Sequence, residues 1–319
     1  MIDLKSFRSQ WDNTQQISYG HTRVNVKPLN CYIGYNNELN KSIIVISSFK
    51  ARNLISSKAI TIRQGRKDNL RFQIEINLLD KNLDEVFVRM CHDLLKFSEV
   101  TDEHQALKNF EKRYGQWHNL FENGKSGILT TAEQHGLIGE LLFLRSQIIG
   151  KSRPIEESVL GWYGPLKEHQ DFSYNEKWYE IKTVMEQGDK IQISSLEQLS
   201  RLDSGELVIY RLAKISGQSD DFDLNKFTLN NLAKNLIELL DANERAEQKF
   251  QSLLFQSGYI FMEEYDEQVY KLVEKINFNV DNKFPRLIKE KLPSAISSIS
   301  YSLSIDKLKN IEGSVHSGF

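Results

Sequence analysis

Between residues 130 and 210 the apolar positions follow a helical period, then a strand period, and then alternate between short runs of each. Leu137, Ile138, Leu141, Leu142, Leu144 and Ile148 recur at spacings that predict a buried helical stripe. Thr130 and Glu133 fit a capping box at its start, which gives Glu133 a structural role. A short apolar run from Val159 to Tyr163 reads as a strand. Asp171-Phe172-Ser173-Tyr174 and Trp178-Tyr179-Glu180-Ile181 both have strand composition, with polar Asn175-Glu176 between them, so a hairpin is expected. With Asn175 and Glu176 as the loop, Tyr174 faces Lys177 and Asp171 faces Glu180. Asn-Glu is a poorer two-residue turn than Asn-Gly, which leaves a register one residue away open. Lys190-Ile191-Gln192-Ile193 continues as strand, Ser194 and Glu197 suggest a second capping box before a short helix through Leu199, and Glu206 to Tyr210 is a further buried strand.

The flanks carry their own patterns. Ser42 to Phe49 is apolar and β-branched, Ala59 to Ile62 alternates, and Leu70, Phe72, Ile74, Ile76 and Leu78 form one strand face. A helix follows, burying Leu83, Val86, Phe87, Met90, Leu94 and Leu95. Another, Leu107 to Phe121, carries Trp117 as packing between domains. Beyond residue 215, helices are expected over Leu229 to Leu240 and Arg245 to Gln256, the latter capped by Gly258. Ile276, Phe278 and Val280, and later Ile299, Tyr301, Leu303 and Ile305, alternate as strands. The expected organisation is an N-terminal α+β domain over 1–115, a core over 116–215 and a C-terminal α+β lobe over 216–319.

Chemistry concentrates on the hairpin. Residues two apart on a strand share a face, so Glu180 and Lys182 point together while Tyr179 and Ile181 point the other way. Asp171 and Glu180 side by side repel, and a buried Lys beside them is costly unless a further charge offsets the group. A divalent cation with a preference for oxygen ligands does so, typically through one or two carboxylates, water and substrate phosphate. Glu-x-Lys alone is weak, since Glu247-Gln248-Lys249 repeats it within a helical pattern. Glu140 adds context. It sits mid-helix among apolar neighbours, where an unpaired carboxylate is expensive, and either turns to a metal site or reaches solvent or Arg145 on the helix margin.

The predicted order from residue 130, αβββαβ, together with Gly136 to Leu141, Asp171-Phe172, Glu180-Ile181-Lys182-Thr183, Ile193 to Leu199, Phe284-Pro285-Arg286 and Ile299 to Ile305, resembles the PD-(D/E)XK nuclease superfamily. Within it the chain is similar to the prokaryotic group labelled "PD-(D/E)XK motif protein". The resemblance covers nearly the whole chain and implies a restriction-endonuclease-like α+β/αβ core between the two flanking domains. It implies Asp171 and Glu180 as metal ligands, Lys182 as the catalytic lysine, Glu140 as an auxiliary acid, Ile181 within the metal set, and Gln192 as a substrate or water contact. The cofactor would be Mg²⁺, with Mn²⁺ as a substitute. The activity would be hydrolysis of DNA phosphodiesters in a restriction or phage-defence system, with protein partners from that system and a homodimer as possible assemblies. The alternative is a nuclease-like subunit that binds DNA or proteins without cutting; an RNA-directed nuclease is a further rival. Gln170 stands where the family name has Pro.

Composition narrows these readings. The 319 residues carry a formal net charge of −2, which does not suit a protein that coats DNA nonspecifically. A local basic stretch runs from Lys50 through Arg52, Lys58, Arg63, Arg66, Lys67 and Arg71, with Asp68 its only acid. Arg66 and Lys67 fall on an expected hairpin tip, where they either reach phosphates or simply face water. Two cysteines indicate neither a disulfide framework nor a zinc cluster, and Cys91 reads as a core thiol. No apolar run suits a membrane span and the start does not read as a signal peptide, so a cytoplasmic protein is expected. Tyr32-Ile33-Gly34 reads as a strand edge rather than half of a GIY-YIG site, and no P-loop is present.

Overall fold

The alternating runs of the first third close into one antiparallel sheet, with one helix before it in sequence and two after it. A computed structural model describes residues 4–14, 20–122, 129–288, 292–296, 298–310 and 315–318. The chain divides into two units, Met1–Gly127 and Ile128–Phe319. In the first, α1 (Leu4–Thr14) precedes β1 (Gly20–Val24), β2 (Asn30–Tyr35), β3 (Lys41–Ser47), β4 (Ile60–Arg66) and β5 (Phe72–Leu78), then α2 (Asp84–Phe97) and α3 (Glu103–Glu122). The sheet order is β1-β2-β3-β5-β4, with β4 at an edge. Ile43, Val45, Ile74, Ile76, Phe87 and Leu94 are all buried, as are the thiols of Cys31 and Cys91. Trp117 is buried, and its indole N–H donates to Asp93 Oδ2 of α2, within the same unit, at 2.7 Å. Leu70, expected on the apolar face of β5, is 81% exposed because that strand begins only at Phe72.

The second unit opens with α4 (Thr131–Ile149), whose capping box between Thr130 and Glu133 forms as expected. There follow α5 (Ile155–Leu160), β6 (Phe172–Ser173), β7 (Trp178–Met185), β8 (Lys190–Ile193), α6 (Glu197–Ser200) and β9 (Gly205–Ile215). After these come α7 (Leu229–Leu240), α8 (Glu244–Gln256), β10 (Val269–Asn279), β11 (Tyr301–Ser304), α9 (Ile305–Lys309) and β12 (Val315–Gly318). The main sheet runs β12-β10-β9-β7-β6, and β8 pairs separately with β11. Residues 216–319 are therefore not a lobe apart: β10 lies antiparallel on β9, next to the strands of the expected core.

Two local expectations are corrected. Val159 to Tyr163 is not a strand, because Pro154 caps α5 and Glu156 and Glu157 fill its first turn, where acidic side chains favour a helix. A short apolar run has no period that separates helix from strand. Ser194 does not cap α6 with its hydroxyl; its backbone N–H instead donates to Gln198 Oε1 at 2.8 Å.

β7 and β9 are parallel, so the chain must cross over between them, and that crossover carries β8 and α6. Trp178 and Val184 of β7 join Leu207, Ile209, Ile276, Phe278, Ile191, Ile193 and Leu199 in one apolar cluster. Strand alternation puts Glu180 and Lys182 on the face that Trp178 and Val184 share. Ile181 and Thr183 face α4, which approaches closely at Gly139: a Cβ there would strike Thr183 Oγ1 and press on Ile181 Cγ2 at 3.2 Å. This close approach fixes α4, and with it Glu140, against β7.

Candidate active site

The hairpin has the expected register. Phe172 pairs with Tyr179 and Ser173 with Trp178, while the Tyr174 N–H donates to the Lys177 carbonyl at 2.9 Å across the Asn175-Glu176 turn. Asp171 therefore stands opposite Glu180, one step before β6. Its carbonyl accepts the N–H groups of Tyr163 and Gly164 at 2.8 and 2.9 Å, and its Oδ2 accepts the Ile181 N–H at 2.8 Å. Both ends of the residue are thus held by backbone.

Glu180 is the buried member. Its side chain is 1% exposed and Oε1 lies 2.8 Å from Lys182 Nζ, yet neither carboxylate oxygen receives a well-directed hydrogen bond. Burial, and then the charge of Asp171, push its pKa well above the ordinary carboxylate value, with Lys182 opposing and Glu140 adding to the rise. Asp171 is raised too, by burial, against the pull of Lys182 and the Ile181 N–H. For Lys182, burial works against the ammonium, but Glu180, Asp171 and Glu140 together outweigh it and raise its pKa. Lys182 Nζ also lies 3.3 Å from Gln198 Oε1.

Glu140 has a partner in Trp162, while Arg145 Nε donates to Asn235. The Glu140 carboxylate turns inward, and its Oε2 accepts the Trp162 indole N–H at 2.6 Å. A side-chain carbon at Gly164 would collide with that oxygen and sit 3.3 Å from Asp171 Oδ1, so Gly164 keeps open the space between the two carboxylates. Gly164→Ala is therefore expected to retain its far-UV circular dichroism while losing most of the thermal stabilisation by Mn²⁺. Stabilisation equal to that of the unmodified chain would show that this space takes no cation.

The structure brings Asp171, Glu180, Lys182 and Glu140 within mutual electrostatic range. It does not bring Gln192, which is exposed on β8 and bonded to Ser302 Oγ at 2.8 Å across the β8–β11 ladder. The glutamine that approaches Lys182 is Gln198, its Oε1 3.3 Å from Nζ. The signal was present in the same segment, because a Gln following Ser194 by four residues can turn its amide to that backbone N–H and present its oxygen inward. Ile181 serves Asp171 through its N–H, and its buried side chain lies under Gly139. The Arg286 guanidinium donates to the carbonyls of Leu199 and Arg201, both at 2.6 Å. His169 is exposed.

Among the described residues, no three His, Cys, Asp or Glu side chains are drawn together into a ready metal centre, so the expected set of three carboxylates is not preassembled. Glu140 accepts a hydrogen bond from Trp162, and Glu180 is paired with Lys182. The donors nonetheless fit Mg²⁺, which commonly takes one or two carboxylates and completes its shell with water and phosphate. The buried oxygens of Glu180, one of them 2.8 Å from the Lys182 ammonium and neither with a well-directed hydrogen bond, are acceptors of the kind such an ion satisfies.

A family model described as "Putative PD-(D/E)XK family member, (DUF4420)" matches residues 9–306. No curated protein and no solved structure gives a match.

Proposed function

The chain belongs to the DUF4420 family, described as PD-(D/E)XK-related, and from that premise we propose that it is a Mg²⁺-dependent DNA endonuclease of a restriction or anti-phage system. The observation that carries this reading is Glu180: a carboxylate 1% exposed, without a directed hydrogen bond, beside Lys182 and opposite Asp171. A structural ion pair gains little from such burial, because desolvation cancels most of the attraction, whereas buried carboxylates with raised pKa values and a specific charged partner mark a candidate functional site.

Asp171 and Glu180 would hold the cation, with Glu140 reaching it through water. When bound, the cation would polarise a phosphoryl oxygen and acidify an attacking water. The chain's own groups do the rest. The Ile181 N–H fixes the Asp171 carboxylate, Gln198 steadies the Lys182 ammonium, and Lys182 orients the water and balances charge developing on the phosphate. Trp162 keeps Glu140 turned toward the same space.

Supercoiled plasmid incubated with the purified protein tests this reading. Nicked and linear products are expected with Mg²⁺ or Mn²⁺ and not with EDTA; intact plasmid under every condition, with RNA run in parallel also intact, would sink it. The second reading, a nuclease-like subunit that does not cut, is favoured by the direct Lys182–Glu180 ion pair, which occupies one carboxylate oxygen. It predicts that intact result.

A further inference from the structure

The N-terminal unit contains a concave site built from residues with no part in the acidic cluster. It is a cleft of about 630 Å³ in which the loop after β3 stands over one end of the sheet beside the edge strand β4. Val45, Ile74 and Leu107 supply an apolar floor, Phe49 and Phe72 add aromatic rings, and Lys50, Arg52 and Arg66 bring positive charge. None of the lining residues is acidic.

The walls are fixed before any ligand arrives. The Ser48 N–H donates to Glu103 at 2.8 Å, the Arg52 N–H to Glu111 at 2.6 Å, and the Tyr114 hydroxyl to the Ile55 carbonyl at 2.7 Å. Gln64 of β4 grips the same loop twice, accepting from the Leu54 N–H and donating to the Arg52 carbonyl. Five hydrogen bonds thus clamp a loop that has no regular structure of its own, and a preformed cleft spares a ligand the cost of ordering it. Phe49 is 41% exposed and rests on His104 with ring centres 4.7 Å apart. The Arg66 guanidinium stands 5.7 Å from the Phe72 ring centre.

We propose that this cleft holds an unpaired nucleotide of a nucleic-acid strand, its base against the aromatic and apolar surfaces and its phosphates on Lys50 and Arg66. Cations alone would suit any backbone. The combination of cations with accessible aromatic rings over an apolar floor suits a base whose faces are free, and a duplex hides those faces. The volume lies within the range of small-ligand pockets, large enough for a nucleotide and too small for a helix. The choice of nucleic acid over another planar anion rests on the nuclease reading above, but the cleft is built from other residues than the acidic cluster and is tested separately.

The test uses the full chain in EDTA, with a 5′-labelled oligothymidylate and a blunt duplex of equal length, followed by fluorescence anisotropy. Phe49→Ala is expected to weaken single-strand binding roughly ten-fold, as the loss of one stacked base does. Lys50→Ala with Arg66→Ala should lower the log–log salt slope by about 1.4. All three side chains are exposed enough to be removed without opening the core. No binding, unchanged affinity in both variants, or an equal loss on duplex and single strand would overturn the proposal. Cleavage of plasmid together with unaltered variants would remove the cleft alone; oligonucleotide capture by the cleft without cleavage would remove the nuclease reading alone.

Discussion

Lys182→Ala is expected to slow Mg²⁺-dependent plasmid cleavage by about 10³-fold, the middle of the range for losing a positioned proton-transfer or charge-stabilising group. The ammonium stands 2.8 Å from Glu180 Oε1 and 3.3 Å from Gln198 Oε1, and its side chain is 16% exposed. Among the described residues, Lys182 is the cation that acts on Glu180. Breaking a buried pair ordinarily costs about 3–5 kcal/mol because the orphaned charge stays buried. Burial already raises the Glu180 pKa, so the folded state can take up a proton there and the thermal midpoint should move less than that figure implies. Initial rates of supercoiled plasmid loss, set beside a thermal melt, separate the two effects. A residual rate within ten-fold of the unmodified chain would mean that Lys182 is a structural counter-ion.

The parts of this site that could be read from sequence are those set by local alternation. The Asn175-Glu176 turn and the strand period on either side placed Asp171 opposite Glu180, and the structure keeps that register. The Thr130–Glu133 box was equally legible, since capping depends on residues three apart. What lay outside local pattern was lost. Gln192 has the right strand parity, but β8 leaves the main sheet to pair with β11, which turns that face to solvent. Gln198 reaches Lys182 only because the crossover folds α6 back over β7, a tertiary fact without a sequence period. The same holds for β10, whose alternation was visible but whose place beside β9 depends on long-range pairing.

Glu180→Gln should abolish metal-dependent cleavage and, in EDTA above neutral pH, make the protein more stable. The unmodified site is held against its own electrostatics. Glu180 and Asp171 both have folded pKa values above their ordinary ones, with burial the leading cause. For a raised carboxylate the unfolded chain gives up its proton first as pH rises, so the folded state binds more protons and stability falls. The fall begins near the ordinary carboxylate values, about pH 4, and ends once the raised folded values are passed. A neutral amide removes the Glu180 share of that slope. Lys182 is not stranded, because Asp171 and Glu140 still act on it and Gln198 Oε1 remains near. The gain at pH 8 is expected to be about 1–3 kcal/mol, by analogy with neutral replacement of buried ion pairs, or roughly 2–4 °C of melting temperature per kcal/mol for a unit of this size. Mn²⁺, which should stabilise the unmodified chain increasingly as pH rises and its ligands ionise, should then do little. Melting curves from pH 5 to 9, with and without Mn²⁺, measure both quantities. A Glu180→Gln protein less stable than its parent at pH 8 would show that the buried carboxylate strengthens the fold, and the case for a site strained toward a cation would fail with it.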